Sequence, residues 1–327
     1  MRLPSEHVLG DAARVEFAER GRAATLRAAV DGVAVGVAGG LGDAGIRAVL
    51  LKGASFARWL YADGAPRFYV DVDLLVRSDL VGDAEALLRA HGYSQLWSPA
   101  DMPADRPIAS HWRRADGGAP IDLHWALPEA GAAPPAQWEA LTGGTERIEL
   151  AGGEVETLGL AARCLMVALH AARHADLPRP AEDLERALRV ADRHTWTEAA
   201  ELADRIGGRD GFSAGLHILP AGVELAESIG VAPPQSTRAL LLLQSPPPGA
   251  DGLDALFTTR GVRARGRLVA RTLVPTRRWM LASTARARRG PGWLAASYLW
   301  HPIGVMARLP AALRAWRRAR GQSSSAS

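Results

Sequence analysis

Asparagine is absent from this chain, and lysine occurs once, at Lys52. Every other basic side chain apart from histidine is arginine. The joint scarcity suggests a coding bias against both residues. A lysine that persists against such a bias marks either chance or a position that requires a compact ammonium where a planar guanidinium does not fit. Cysteine also occurs once, at Cys164, which excludes an intramolecular disulfide and points to a reducing compartment. The opening "MRLPSEHVLG" lacks the apolar segment of a signal peptide. The most apolar late stretch, Trp293 to Met306, is broken by His301-Pro302 and is too short to span a bilayer. A cytoplasmic protein without a membrane span is expected.

Acidic residues are missing from the end of the chain. Residues 255–327 hold fifteen arginines and no Asp or Glu, while the remainder holds 24 basic residues against 35 acidic ones. The net charge of +4 conceals this asymmetry. Such a block is either a solvated basic face or a surface for an anionic partner. RNA, tRNA in particular, fits clustered cations. An anionic membrane surface fits the mixture of tryptophan and arginine in "WLAASYLWHPIGVMARLPAALRAWRRAR".

With 48% hydrophobic and 23% charged residues, the 327-residue chain has ordinary globular composition and room for two domains. Residues 6 to about 40 read as Ala-rich helix. "IRAVLLKG" is a buried strand ending in glycine, and "ASFARWLYA" a helix opening after it. "FYVDVDLLV" alternates, so Asp71 and Asp73 share one strand face opposite Val70, Val72 and Leu74. "SDLVGDAEALLRAHGY" predicts a helix with Ser78 or Asp79 as its N-cap and Gly92 as its stop. A polar stretch follows at 98–107. "APIDLHWAL" is a further strand, with Asp122 and His124 on one face. "ELAGGEVETL" resembles a hairpin, and from Leu158 onward the pattern is helical. The expected organisation is α+β: helices and an α/β core over 1–150, a helical domain over 151–250, and a basic helical extension over 251–327 ending in a disordered tail, "GQSSSAS".

The chemistry concentrates around the Asp-x-Asp pair. Two carboxylates two apart on a strand project together and can hold a hard cation. Asp122 from a neighbouring strand would complete a site for two Mg²⁺ ions roughly 3.5–4 Å apart, the arrangement that serves phosphoryl and nucleotidyl transfer. Taken alone, the pair reads more readily as solvated or structural. The strand-to-helix turn about twenty residues earlier adds weight, because a helix N-terminus binds phosphates. Lys52, Gly53 and Ser55 stand at that turn, and Arg67 is a further phosphate ligand or else a surface arginine. His124 either points at the metal site or packs under a loop. His170 and His174 share a helix face, as an interdomain polar contact or as part of a nucleotide or acceptor pocket. Asp183 could pair with one of them. "HAARH" lacks the glutamate of a zinc protease helix. Gly40-Leu-Gly42-Asp-Ala-Gly45 precedes a strand and so is no dinucleotide loop, Lys52 is not in a P-loop, and Cys164 reads as core.

"LLKGASFARWLYADGAPRFYVDVDLLV", "ALLRAHGY" and "IDLHWAL" together resemble the uncharacterised bacterial nucleotidyltransferase family within the DNA-polymerase-β-like superfamily. The likeness is strongest over residues 46–127 and extends loosely into "LHAARHADLPRPAEDL". It implies a short mixed sheet with flanking helices, and transfer of an NMP group from a metal-bound NTP such as ATP. It also implies Asp71, Asp73 and Asp122 as ligands of Mg²⁺ or Mn²⁺, with Lys52-Gly53 replacing the Gly-Ser signature of the wider superfamily. The acceptor would be a hydroxyl or phosphate group, on a small molecule, a tRNA or a protein. A non-catalytic RNA- or protein-binding module that keeps the fold is the competing expectation.

Overall fold

The apolar run before Lys52 forms strand β1 (Ala48–Leu50), with all three residues buried. In the computed structural model, which describes residues 11–97, 108–244 and 246–325, helix α1 (Asp11–Asp43) precedes it. The polar stretch at 98–107 lies outside the described residues. After β1 come α2 (Ala54–Leu60), β2 (Val72–Val76), α3 (Val81–Ala90), β3 (Tyr93–Trp97), β4 (Ala109–Arg114) and β5 (Gly117–His124). Next are α4 (Pro134–Thr142) and the hairpin β6 (Thr145–Leu150) and β7 (Gly153–Leu158). Helices follow: α5 (Leu160–Arg173), α6 (Pro178–Val190), α7 (Arg193–Arg205), α8 (Arg209–Leu216), α9 (Pro220–Ser228) and α10 (Thr237–Leu243). The last four are α11 (Ala250–Thr258), α12 (Val262–Leu273), α13 (Arg277–Ser283) and α14 (Pro291–Ser325).

The strands form one mixed sheet in the order β3-β4-β5-β2-β1-β7-β6. β2 runs parallel to β5 and antiparallel to β1, and β1 runs parallel to β7. Alternation along the strands divides the core in two. Leu74, Ile121 and Leu123 pack under α1 with Val30, Val37 and Leu41. Val49, Leu51 and Leu75 face the other way, onto Leu165 and Leu169 of α5 and, beyond it, Trp196 and Phe212. Ten of the fourteen α5 residues are buried, which makes it the central helix of the helical half. Its neighbour α8 approaches so closely that a Cβ on Gly215 would stand 2.1 Å from the Ala168 carbonyl oxygen. Within α1, the stretch Ala24–Asp43 is long and apolar enough by length and composition to cross a membrane, with mean hydropathy 1.3. Here its apolar side packs on the sheet.

Several sequence expectations change. The boundary at 150 falls in the β6–β7 turn, yet β7 pairs with β1 at Leu50↔Thr157, so the sheet continues to Leu158. Neither Ser78 nor Asp79 caps α3. A 3-10 turn over Ser78–Leu80 leads into it, and Asp79 instead pairs with Arg77. Gly92 does stop the helix, at φ +80°. The tail is not disordered from 321: α14 continues to Ser325, because Ala315, Trp316 and Ala319 pack on α10 and α11, and the Gln244 amide donates to Gln322. Arg260, Arg263, Arg267 and Arg271 are spaced in sequence to line one helix face, but Arg260 precedes α12 and only the other three lie within it.

Candidate active site

Two carboxylates and a histidine meet where β2, β5 and β4 run side by side. Parallel pairing puts Asp73 directly opposite Asp122, and antiparallel β4 puts His111 opposite Asp122. Residues opposite one another on neighbouring strands share a sheet face, so the three side chains form a row. They lie on the Leu75 side of the sheet, toward the helical half. His111 Nδ1 stands 2.5 Å from Asp122 Oδ1, and His124 Nε2 stands 3.2 Å from Asp73 Oδ1. Asp71 sits at the bend just before β2, close enough for its charge to act on Asp73 and Lys52.

Lys52 follows β1 and reaches Asp73 Oδ1 at 2.9 Å. Antiparallel pairing explains its position, since the Leu51 N–H donates to the Asp73 carbonyl across the same rung. Gly53 makes the turn at φ +64°, a conformation that strains any side chain. Burial alone would raise the Asp73 pKa, but the Lys52 ammonium and His124 outweigh it and hold the carboxyl far below the usual range. For Asp71, burial and the neighbouring Asp73 charge act together, and its pKa is raised. Burial opposes charge on Lys52, yet Asp73 and Asp71 keep its pKa above the ordinary value.

Asp73 is 1% exposed, and among the described residues its Oδ2 is buried without a hydrogen-bond partner, as is His124 Nδ1. Leaving such a carboxylate oxygen unsatisfied costs about 1–3 kcal/mol or more. Asp73, Asp122 and His124 each offer a ligand atom within 4.8 Å of the others. Two carboxylates and an imidazole with an orphaned buried oxygen suit a divalent cation. The cluster thus brings His124 beside two of the three expected carboxylate ligands, with Asp71 at its margin.

Two expected phosphate ligands face elsewhere. Ser55 is fully buried, and its hydroxyl meets that of Thr157 at 2.6 Å between α2 and β7. Arg67 is buried, with Nε and Nη2 donating to Asp183 and Nη1 to the Gly53 carbonyl. It braces the Gly53 turn from behind. Tyr61 completes that network by donating to Asp183 at 2.8 Å. Asp183 therefore pairs with Arg67 and Tyr61, not with His170 or His174 as expected, because α6 places it against the loop after α2. The two histidines meet edge to face, 5.0 Å between ring centroids. Burial, with help from the Lys52 charge, takes the His170 pKa down to about 3.

Sequence reading did not find His111. Its signal was the alternation Ser110, Trp112 inward and His111 outward, which identifies a strand but not the partner beside it.

Residues 2–221 match the family described as uncharacterised nucleotidyltransferase. No curated protein matches the chain. Among solved structures, the antibiotic-resistance factor ANT(2'')-Ia in solution is 16% identical, with 52% of this chain and 89% of that one covered and a TM-score of 0.37. The crystal structure of ANT(2")-Ia with adenylyl-2"-tobramycin is also 16% identical, covering 52% and 94% at a TM-score of 0.36. An antigenic nucleotidyltransferase-like protein from Paracoccidioides brasiliensis is 16% identical, covering 62% and 93% at 0.36. The family match takes in the whole sheet and the helices through α8, and this chain belongs to that nucleotidyltransferase family.

Proposed function

We propose that the protein transfers a nucleoside monophosphate from an NTP to a hydroxyl of a small molecule, tRNA or protein, using Mg²⁺ or Mn²⁺. The observation that carries this reading is the buried Asp73 Oδ2, unpartnered among the described residues, beside Asp122 in register. Asp71, Asp73 and Asp122 would hold the cation with His124, and the cation would neutralise charge on the phosphoryl oxygens and leaving pyrophosphate. Lys52 binds a phosphate as a mobile point charge that exchanges between Asp73 and the nucleotide. Arg67 holds the Gly53 turn through its carbonyl, so that the lysine is presented at a fixed height. The acceptor oxygen attacks the α-phosphorus, a new P–O bond forms, and the bond to the bridging oxygen breaks, releasing pyrophosphate. Asp122 takes the acceptor proton, with His111 orienting its carboxylate. The lone buried Cys164 supports the cytoplasmic location within this same proposal.

The test is thermal unfolding with NTP, with and without divalent metal, followed by transfer from α-labelled NTP into candidate acceptors. Stabilisation by NTP only with metal, plus labelled product, is expected. Stabilisation by RNA alone with no label transferred would make the protein a non-catalytic binding module.

A further inference from the structure

α14 displays two different sides. At 100° per residue, Tyr298, His301, Ala312, Ala315, Trp316 and Ala319 fall on one side. That side is attached: the Tyr298 hydroxyl donates to Pro275 O, His301 Nε2 lies 2.9 Å from Thr272 O, and the alanines with Trp316 are buried. Trp293, Leu299, Trp300, Ile303 and Met306 fall on the opposite side, within an arc of about 140°. All five are exposed, Leu299 at 74% and Trp300 at 68%. Exposed arginines bound this stripe at both ends. Arg286, Arg288 and Arg289 precede it, and the Arg289 guanidinium lies over the Trp293 ring at 5.8 Å. Arg314, Arg317 and Arg318 continue the same outward side after it. A groove of about 220 Å³ beside the stripe is lined in part by Arg286, Trp293, Trp300 and Arg308. All of this lies beyond residue 221, outside the family match.

We propose that this side of α14 docks on an anionic membrane surface, lying in the plane of the interface. The apolar stripe enters the boundary between headgroups and acyl chains, the tryptophans sit at headgroup depth, and the flanking arginines meet lipid phosphates. Charge complementarity chooses an anionic partner, since residues 255–327 contain no acid. The aliphatic members choose lipid over nucleic acid: single-stranded nucleic acid is gripped by aromatic faces and cations, and Leu299, Ile303 and Met306 have no face on which a base stacks. With His301-Pro302 inside it and arginines at both ends, the stripe is too short to span the bilayer.

Flotation of the full chain with vesicles of phosphatidylglycerol and phosphatidylethanolamine, against vesicles of phosphatidylcholine, tests this. Recovery at least tenfold greater with the anionic vesicles is expected, falling with added salt. Leu299→Ser with Ile303→Ser, and separately Arg317→Gln with Arg318→Gln, should each reduce recovery about tenfold or more. These side chains are exposed, so circular dichroism of both variants should match the parent. Absence from the anionic vesicles, or full recovery of the Leu299→Ser/Ile303→Ser variant, would overturn the proposal. So would single-stranded RNA binding the Leu299→Ser/Ile303→Ser variant as tightly as the parent and stripping the parent from vesicles. Nucleotide transfer in solution is read separately on the same variants and does not depend on this surface.

Discussion

Asp73 and Asp122 stand opposite each other on parallel strands, although 48 intervening residues separate them along the chain. That register, with Lys52 at 2.9 Å from Asp73, gathers opposite charges around one rung of the sheet. It defines what each substitution in the row should do.

Asp73→Asn keeps the shape of the side chain but removes the charge that Lys52 and a cation both need. Nucleotide transfer should fall by about a hundredfold or more, and metal should no longer enhance NTP-induced stabilisation. Steady-state rates and thermal unfolding on the same preparation check both. Retention of the parental rate would remove Asp73 from the machinery.

Lys52→Arg conserves charge and changes geometry. The lysine reaches Asp73 from the residue before the Gly53 turn, and the longer planar fork cannot exchange between carboxylate and phosphate in the same way. NTP affinity should weaken about tenfold or more. Calorimetric titration with metal and a non-hydrolysable NTP measures it. Parental affinity would return the lone lysine to accident.

Asp183→Asn should cost stability well out of proportion to its distance from the chemistry. It would strand the buried Arg67 guanidinium, and breaking one side of such a pair costs about 3–5 kcal/mol. Arg67→Met with Asp183→Leu removes both charges and should cost clearly less. Urea denaturation of the two variants decides the matter, and equal losses would contradict it.

His170 gives stability a pH dependence of known sign. Its folded pKa lies near 3 against an ordinary 6.5, so between those values the unfolded chain binds a proton that the native chain refuses. Stability therefore rises with pH across that window and is lost on acidification, by about 1.4 kcal/mol per unit below 6.5 at most. Denaturation at pH 7 and pH 5.5 should show this slope, and His170→Gln should flatten it. An unchanged slope in that variant would assign the acid sensitivity elsewhere.

The sheet's central strands were legible because their signals are local. "AVLLKG" is an apolar run closed by a glycine, and Asp73, Asp122 and His124 sit in alternating text that fixes their faces, whereas Asp71, expected on the same strand, falls at the bend before it. What was illegible is pairing at long range. Nothing near Ser55 announces Thr157, 102 residues away, and nothing near Arg67 announces Asp183, 116 residues away. Both side chains look like surface ligands until the helical half closes over them. His111 failed for the same reason: its strand pattern is local, its neighbour Asp122 is not. The helical end of α14 was hidden by composition, since "GQSSS" is a poor helix former carried along by tertiary packing.

The sheet order also bears on how the molecule is made. β1, which leads to Lys52, lies between β2 and β7, and the Thr157 hydroxyl donates to the Leu50 carbonyl at 2.9 Å. A nascent chain that has emerged only through residue 150 holds every side chain proposed for the chemistry, yet one flank of β1 is still bare. Its sheet is completed only after β7 has left the ribosome, and the face that carries Val49, Leu51 and Leu75 is covered only when α5 follows. The first half of this protein waits for the second, and a ribosome that stalls between them leaves an open strand edge for chaperones to guard.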